Sequence, residues 1–297
     1  MDRLDAMQVF CRVAEQGSFS KAAEQLDLPR ASVTGAVQQL ERQLGVRLLH
    51  RTTRRVSLTQ EGGFFLERCQ RLLEEWAETE NVFSGQLQPQ GVVRVDLPER
   101  LARLTVIPAL PAFVERFPGL QLRLSTTDRL VDPVAEAIDC LVRVGPLRDS
   151  TLVARRVGEM EQINCATPGY LDRHGRPQQP ADLAQHVAVN YFSSRTGRDL
   201  DWEYVEDNGQ VRTLKLPSRV SVSSSEAYLS CCLAGLGLMQ APRQGLEPLL
   251  EAGVLEEVLP RWKPPPLPVS IVYAHNRQLS PRVRVFVDWL AEVLKVS

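Results

Sequence analysis

The chain runs to 297 residues, 43% of them apolar and 24% charged, with a formal net charge of −1. That composition is ordinary for a globular protein, and the length allows two or three compact units; no apolar run approaches the roughly 18–20 residues that span a bilayer, which excludes a helical membrane protein. Charge is unevenly placed: residues 1–60 hold nine Lys/Arg against six Asp/Glu, leaving 26 against 30 for the remainder, and a mildly basic head on an acidic body fits nucleic-acid binding by one end only.

Residues 2 to about 16 read as a first helix with an apolar face of Leu4, Met7, Phe10, Cys11, Val13 and Ala14. The segment lacks the apolar core of a secretory signal, so a cytoplasmic location is expected. Two further helices follow with a tight turn between them. Ser20 is placed to cap the first, and Pro29 suits the first turn of the second, where its missing N–H costs nothing. In the second of these helices Val33, Val37, Leu40 and Leu44 fall on one stripe, while Ala31, Thr34, Gly35 and Gln38 point the other way. A small, polar outward face of that kind fits a DNA major groove. Gly45 ends the helix, and residues 46–59 read as a two-stranded wing with arginines at 51, 54 and 55 near its tip. Guanidinium groups there can reach phosphates or a narrow minor groove.

The run Ala22-Ala23, Leu26, Leu40-Glu41, Leu44 through Arg54, Leu58-Thr59 and Glu61-Gly62 resembles the winged helix-turn-helix of LysR-type transcriptional regulators over about sixty residues without a gap. The chain departs from that pattern at Pro29, where the family often has Ser or Thr, and at Gly35, where it often has Arg; the second change removes a phosphate contact. The resemblance implies an α/β multidomain protein. Residues 1–60 would be a winged helix-turn-helix DNA-binding domain and 59–88 a long linker helix for dimerisation. Residues 91–297 would be a two-lobed α/β effector-binding domain shaped like a periplasmic solute-binding protein. Lobe 1 takes about 91–163 and 269–297, and lobe 2 about 164–268. The DNA-facing residues are then Ser20, Arg30, Ala31, Ser32, Thr34, Gly35 and Gln38, with Arg54 in the minor groove and Arg51 and Arg55 on phosphates.

Thr59 caps a helix expected to reach about Leu87. Phe65, Cys69, Leu72, Trp76, Thr79 and Phe83 alternate in steps of four and three, the seam of a short coiled coil, which makes Phe65, Cys69, Leu72, Trp76 and Phe83 the expected dimer contacts. A two-fold dimer implies a palindromic pair of half-sites. Residues 88–91 (Gln-Pro-Gln-Gly) break the helix. Beyond them strands and helices alternate: a strand at 92–97, a helix at 100–117 kinked or split by Pro108 and Pro111, a strand at 120–125, a short helix at 131–137 and a strand at 140–144. That spacing predicts a mostly parallel, covered sheet. A second lobe begins near Ile163 and includes strands at 187–191 and 219–222, a hairpin around Asn208-Gly209 and a helix at 225–234. The chain then returns through three prolines to a strand at 269–273 and a last helix at 281–295.

Two lobes joined by two crossings make a cleft at the strand ends. The candidate effector residues there are Arg100, Thr126, Thr127, Val144, Gly145, Phe192, Ser223 and Ser224, near Glu99, Asp128 and Ser225. Ser223–Ser225 open a helix, whose N–H groups favour an anion; with Arg100 opposite, a small carboxylate is the expected effector. The same serines would cap the helix whether or not anything binds. Arg143 and Arg148 are alternatively tied to acids such as Asp149. In the weaker second half, Asp139 to Gly145 and Leu233 to Leu238 resemble family motifs.

No reactive constellation is present: His50, His174, His186 and His275 are scattered, and no nucleophile elbow, zinc-protease or phosphate-loop motif occurs. Gly235 and Gly237 follow a helix, the wrong context for a dinucleotide loop. Catalysis is not expected, nor any cofactor or metal. Six cysteines, none spaced as C-x-x-C, read as small core residues. The competing reading, a solute-binding protein without DNA binding, explains residues 92–297 but not the wing arginines. The expected partners are duplex DNA, a small-molecule effector, and further copies of the chain, as a dimer through the linker helix and a tetramer through the effector domains. RNA polymerase is a further expected partner.

Overall fold

The computed structural model describes residues 1–51, 56–83, 89–129, 131–133, 135–147, 152–194, 196–273 and 279–295. The chain divides into two compact units, Met1–Gln88 and Pro89–Ser297.

In the first unit, α1 (Arg3–Gln16) opens on a capping box in which the Asp5 N–H donates to the Asp2 carboxylate at 2.7 Å and Asp2 N–H returns a bond to Asp5 at 3.1 Å. Helix α2 (Phe19–Leu26) is capped by Ser18, whose Oγ accepts from Lys21 N–H at 3.4 Å. The expected cap, Ser20, is instead the second residue of the helix, because Phe19 is buried and already belongs to it. Helix α3 (Arg30–Leu44) has Pro29 at its N-cap position and ends at Gly45, with φ 71°. Leu44, expected on the buried stripe, is 44% exposed, while Ala36 takes a place beside Val33, Val37 and Leu40. Strands β1 (Leu49–Arg51) and β2 (Val56–Leu58) pair antiparallel. Helix α4 (Gln60–Phe83) follows. One core joins α1, α2, α3, β1 and the first half of α4 through Phe10, Val13, Ala22, Val37, Leu49 and Cys69.

The second unit begins with β3 (Gly91–Leu97). A continuous helical run then passes from α5 (Glu99–Leu101) through a π-helical turn, Ala102–Val106, into α6 (Ile107–Arg116). Pro108 has no N–H to continue the α register, and the ladder widens just before it, with Ile107 N–H donating to the Ala102 carbonyl five residues back. Strands β4 (Leu120–Thr126), β5 (Cys140–Val144) and β6 (Val153–Met160) follow. Residues 131–137, expected as a short helix, form turns among their described residues, and Ala137 sits at φ 55°.

The chain then crosses to β7 (Gln162–Ala166), α7 (Pro168–His174), a 3-10 turn at Pro180–Gln185, β8 (Ala188–Tyr191), β9 (Trp202–Val205), β10 (Val211–Leu214) and β11 (Ser218–Val222). Next come α8 (Ser225–Leu233), β12 (Met239–Pro242), α9 (Glu247–Glu251) and β13 (Glu256–Val258). It returns with β14 (Leu267–Tyr273) and closes on α10 (Pro281–Lys295).

Lobe 1 is a five-stranded sheet in the order β4-β3-β5-β14-β6. Strand β3 is parallel to β4 and β5, whereas the returning β14 is antiparallel to β5 and β6, so the sheet is mixed rather than mostly parallel. Helices α6 and α10 cover one face, with Phe113 edge-on to Phe286 at 5.3 Å over Val93, Val95 and Ile271. Lobe 2 holds β12-β7-β13, the parallel pair β11-β8 and the hairpin β9-β10. Its two cores centre on Ile163, Tyr228 and Cys232, and on Tyr170, Trp202 and Leu238. Neither shares a buried residue with the lobe 1 core. Among the described residues no helix is long and apolar enough to cross a membrane.

Candidate nucleic-acid interface and ligand cleft

Helix α3 separates its two faces sharply. Val33, Ala36, Val37 and Leu40 are buried, while Arg30, Ala31, Ser32, Gly35 and Gln38 are exposed. Thr34 is half-buried and its hydroxyl donates to the Arg30 carbonyl at 2.9 Å. A Cβ added at Gly35 would meet nothing within 4 Å. The helix start carries no side-chain cap, since Pro29 has none to offer. Ser20 is half-buried and lines, with Arg30, Glu24, Asp27 and Pro29, an open groove of about 550 Å³.

The wing is anchored to this frame by Glu41. Its Oε1 accepts from Leu48 N–H at 3.0 Å and Leu49 N–H at 3.2 Å, satisfying two donors whose side chains are buried. Thr59 ties the other end: its Oγ1 donates to the Arg47 carbonyl at 2.7 Å and accepts from Gly62 N–H at 2.8 Å, capping α4. Arg54 and Arg55 lie outside the described residues. Arg51 is the last residue of β1.

The expected seam of α4 is split by the structure. Phe65 packs on Phe10 with ring centroids 5.4 Å apart, and Cys69 is fully buried in the same core, so both serve the head of their own chain. The face turned to solvent instead carries Phe64, Leu72 and Trp76, at 64%, 49% and 48% exposure, with Arg68 stacked on Phe64 at 5.2 Å. These lie on one stripe at intervals of four or eight residues. Phe83 ends the helix.

In the second unit the strand ends that were candidates for ligand contact meet the start of α8. Ser224 caps α8, its Oγ accepting from Ala227 N–H at 3.4 Å and donating to the Glu99 carboxylate at 3.3 Å. Asp128 accepts from Ser225 N–H at 2.6 Å and from Glu99 N–H at 3.2 Å. Arg100 donates to Glu226 at 3.3 Å and to the Gly245 carbonyl at 3.3 Å, and Arg103 joins it on Glu226 at 2.8 Å. Burial pulls the Arg100 pKa down, against the pull of Glu226. Tyr191 OH donates to the Ser223 carbonyl at 2.9 Å. Burial, with the charges of Asp128 and Glu99, pushes that phenol up.

The remaining candidates lie apart from this cluster or are committed elsewhere. Thr126 is exposed, and Thr127 N–H donates to the Leu97 carbonyl at 3.0 Å. Val144 packs against the lobe 1 core, while Gly145 N–H is taken by the Pro268 carbonyl at 2.8 Å. Phe192 N–H bonds to Val222 at 2.8 Å. Arg143 pairs with buried Asp96 at 3.5 Å and reaches the Val131 carbonyl at 3.4 Å; Arg148 and Asp149 lie outside the described residues. Burial raises the Asp96 pKa against the opposing pull of Ser125 and Arg143. Sequence alone passed over Arg103, Tyr191 and Glu226; the signal for Glu226 was an acid in the first turn of a helix. Cys11, Cys69, Cys140, Cys165 and Cys232 are buried, and Cys231 is half-buried. Among the described residues no group of three or more His, Cys, Asp or Glu is placed to hold a metal ion.

Comparison with known proteins adds three kinds of likeness. The family described as bacterial regulatory helix-turn-helix protein, lysR family, matches residues 4–63. The LysR substrate binding domain matches residues 86–295. The HTH-type transcriptional regulator YhjC of Escherichia coli (strain K12) is 42% identical over 99% of this chain and 99% of its own. Among solved structures, CrgA, a LysR-type transcriptional regulator from Neisseria meningitidis, is similar at 34% identity and a TM-score of 0.61, covering 98% of both chains. The full-length Vibrio cholerae virulence activator AphB is similar at 32% identity and a TM-score of 0.59, covering 98% of this chain and 99% of that one.

Proposed function

The chain belongs to the LysR family of DNA-binding transcriptional regulators, and from that premise we propose how its own residues divide the work. The exposed face of α3, with Arg30, Ala31, Ser32 and Gln38 and half-buried Thr34 at its edge, enters the major groove, and Ser20 approaches the adjacent backbone. Arg54 enters the minor groove, with Arg51 and Arg55 on phosphates. The observation that carries this reading is the two-faced α3: one side closes the core, and the other offers small polar groups without obstruction.

The stripe Phe64, Leu72 and Trp76 on α4 joins two copies, which sets the recognition helices on a palindromic operator. Exposed apolar side chains in a row on a long helix support that assignment over the Phe65 and Cys69 seam. Effector domains then associate into a tetramer that meets RNA polymerase. The regulator works in the cytoplasm, and a small carboxylate enters between the lobes, drawn by Arg100 and Arg103 and by the hydroxyls of residues 223 and 224.

The test is genome-wide mapping of bound fragments in the native bacterium, followed by gel shift of the recovered sites. Discrete sites with two-fold symmetry are expected, bound more weakly by Arg54→Ala. Equal affinity of Arg54→Ala and wild type at physiological salt overturns the wing assignment. Recovery of no discrete site overturns the regulator reading for this chain.

A further inference from the structure

We infer that Asp128 is a built-in clasp that holds the two lobes of residues 89–297 together, seconded by Glu226 on the same seam. The inference rests on reading that unit as a pair of lobes whose packing a ligand adjusts.

Asp128 is held firmly on lobe 1. Thr127 N–H is bonded to the Leu97 carbonyl at 3.0 Å, and Thr127 Oγ1 accepts from Arg129 N–H at 3.1 Å. The Arg129 guanidinium grips Glu136 through two nitrogens. Behind the segment, the buried Asp96–Arg143 pair reaches the Val131 carbonyl. From this mount the two oxygens of Asp128 point to different lobes. Oδ1 accepts from Glu99 N–H, which opens the helical run from Glu99 to Arg116 in lobe 1. Oδ2 accepts from Ser225 N–H, the first residue of α8 in lobe 2. One carboxylate therefore serves two helix N-termini that face each other across the seam, and both dipoles favour its charge.

Most of the other described contacts on the seam are polar as well: Ser224 on Glu99, Glu226 on Arg100 and Arg103, Arg100 on the Gly245 carbonyl, and Gln244 on Thr105 at 3.0 Å, with Leu104 lying against Gly245 outside either core. The apolar cores of the two lobes share no residue. Parting the lobes would break hydrogen bonds that water can replace, without opening either core. A device of that kind can be released by a modest competing interaction, whereas a shared core could not.

The experiment is hydrogen–deuterium exchange on the full-length protein, wild type against Asp128→Ala. Exchange in peptides covering residues 99–106 and 223–233 is expected to rise at least tenfold, while β3, α10 and the head stay at wild-type rates. No rise in those two segments overturns the clasp. A rise spread evenly over the unit also overturns it, because that reports general loss of stability. Should Asp128→Ala fail to fold, Asp128→Asn is read alone. A rise confined to the two segments then supports the clasp, and wild-type exchange overturns it. Gel shift on the same preparations tests the regulator reading separately, since wild-type protein that ignores its mapped sites sinks that reading whatever the exchange shows.

Discussion

Gly62 lies directly against the carbonyl of Leu48: a Cβ built on Gly62 would fall 1.9 Å from that oxygen and 2.8 Å from its carbon. The same oxygen accepts from Thr59 N–H at 3.0 Å, so the carbonyl is pinned and cannot swing aside. The entry to the wing and the first turn of α4 touch backbone to backbone here, which only a glycine allows.

Gly62→Ala is therefore expected to destabilise the head by about 1–3 kcal/mol, the usual cost of forced overpacking. Gly63→Ala is the matched control. Its added methyl meets nothing within 4 Å, and alanine favours a helix by up to about 1 kcal/mol over glycine. Urea unfolding of the two variants should move in opposite directions. Equal midpoints would show that the wing and α4 do not press together at this point.

Gly35→Arg should tighten DNA binding. The position is exposed, helical and open, so the side chain can be accommodated without strain. One new phosphate contact steepens the salt dependence of binding by about one unit of slope. Gly35→Ala should stabilise α3 without changing that slope. Salt titration of operator binding separates the two, and an unchanged slope for Gly35→Arg would place this face of α3 away from the DNA backbone.

Trp76→Glu should weaken self-association by ~30-fold or more, the scale of losing a central aromatic anchor worth about 2 kcal/mol. Cys69→Ser should lower head stability and leave self-association unchanged, because Cys69 is fully buried in its own core. Sedimentation across a concentration series reads both. Dissociation of the Cys69→Ser protein without unfolding would return the seam to the Phe65 and Cys69 register.

Lobe 2 should lose stability in mild acid through His186. Its ring is 3% exposed and sits 3.3 Å from the Tyr170 hydroxyl, with His174 stacked on Tyr170 at 4.3 Å. Burial, aided by His174, holds the His186 pKa below its ordinary 6.5, and Asp182 opposes the shift only in part. The unfolded chain then binds the proton more readily than the native one. The contribution is complete above 6.5 and is lost as pH falls below it, down towards the native value. His186→Gln should flatten the difference in urea midpoint between roughly pH 7 and pH 5. A slope identical to wild type would assign acid sensitivity to other groups.

What the sequence revealed and what it hid follow one division. Short-range signals were legible. Gly45, Thr59 and the terminal run from Pro281 to Lys295 mark element ends by local chemistry, and the structure bounds those elements there. Features that depend on distant chain were not. Ser18 rather than Ser20 caps α2 because Phe19 is drawn into a core built by other helices. Strand β6 went unseen, and β14 turned the sheet mixed, since strand direction depends on where the chain returns from. The stripe on α4 shifted register because Phe65 and Cys69 found partners in α1 and its neighbours, which spacing along one helix cannot reveal. In the cleft, Glu99, Arg100 and Ser224 were singled out as strand-end and helix-start groups. The ties that join them across the cleft, Arg100 to Glu226, Ser224 to Glu99 and Ser225 to Asp128, are contacts between residues about a hundred or more positions apart.

The separate cores of the two lobes carry a consequence for descent. A border made of side-chain hydrogen bonds tolerates exchange of its members far better than a packed interior does, because each swap disturbs few neighbours. Lineages derived from this chain can thus acquire a different trigger by altering a handful of rim positions, while both halves keep the architecture they inherited.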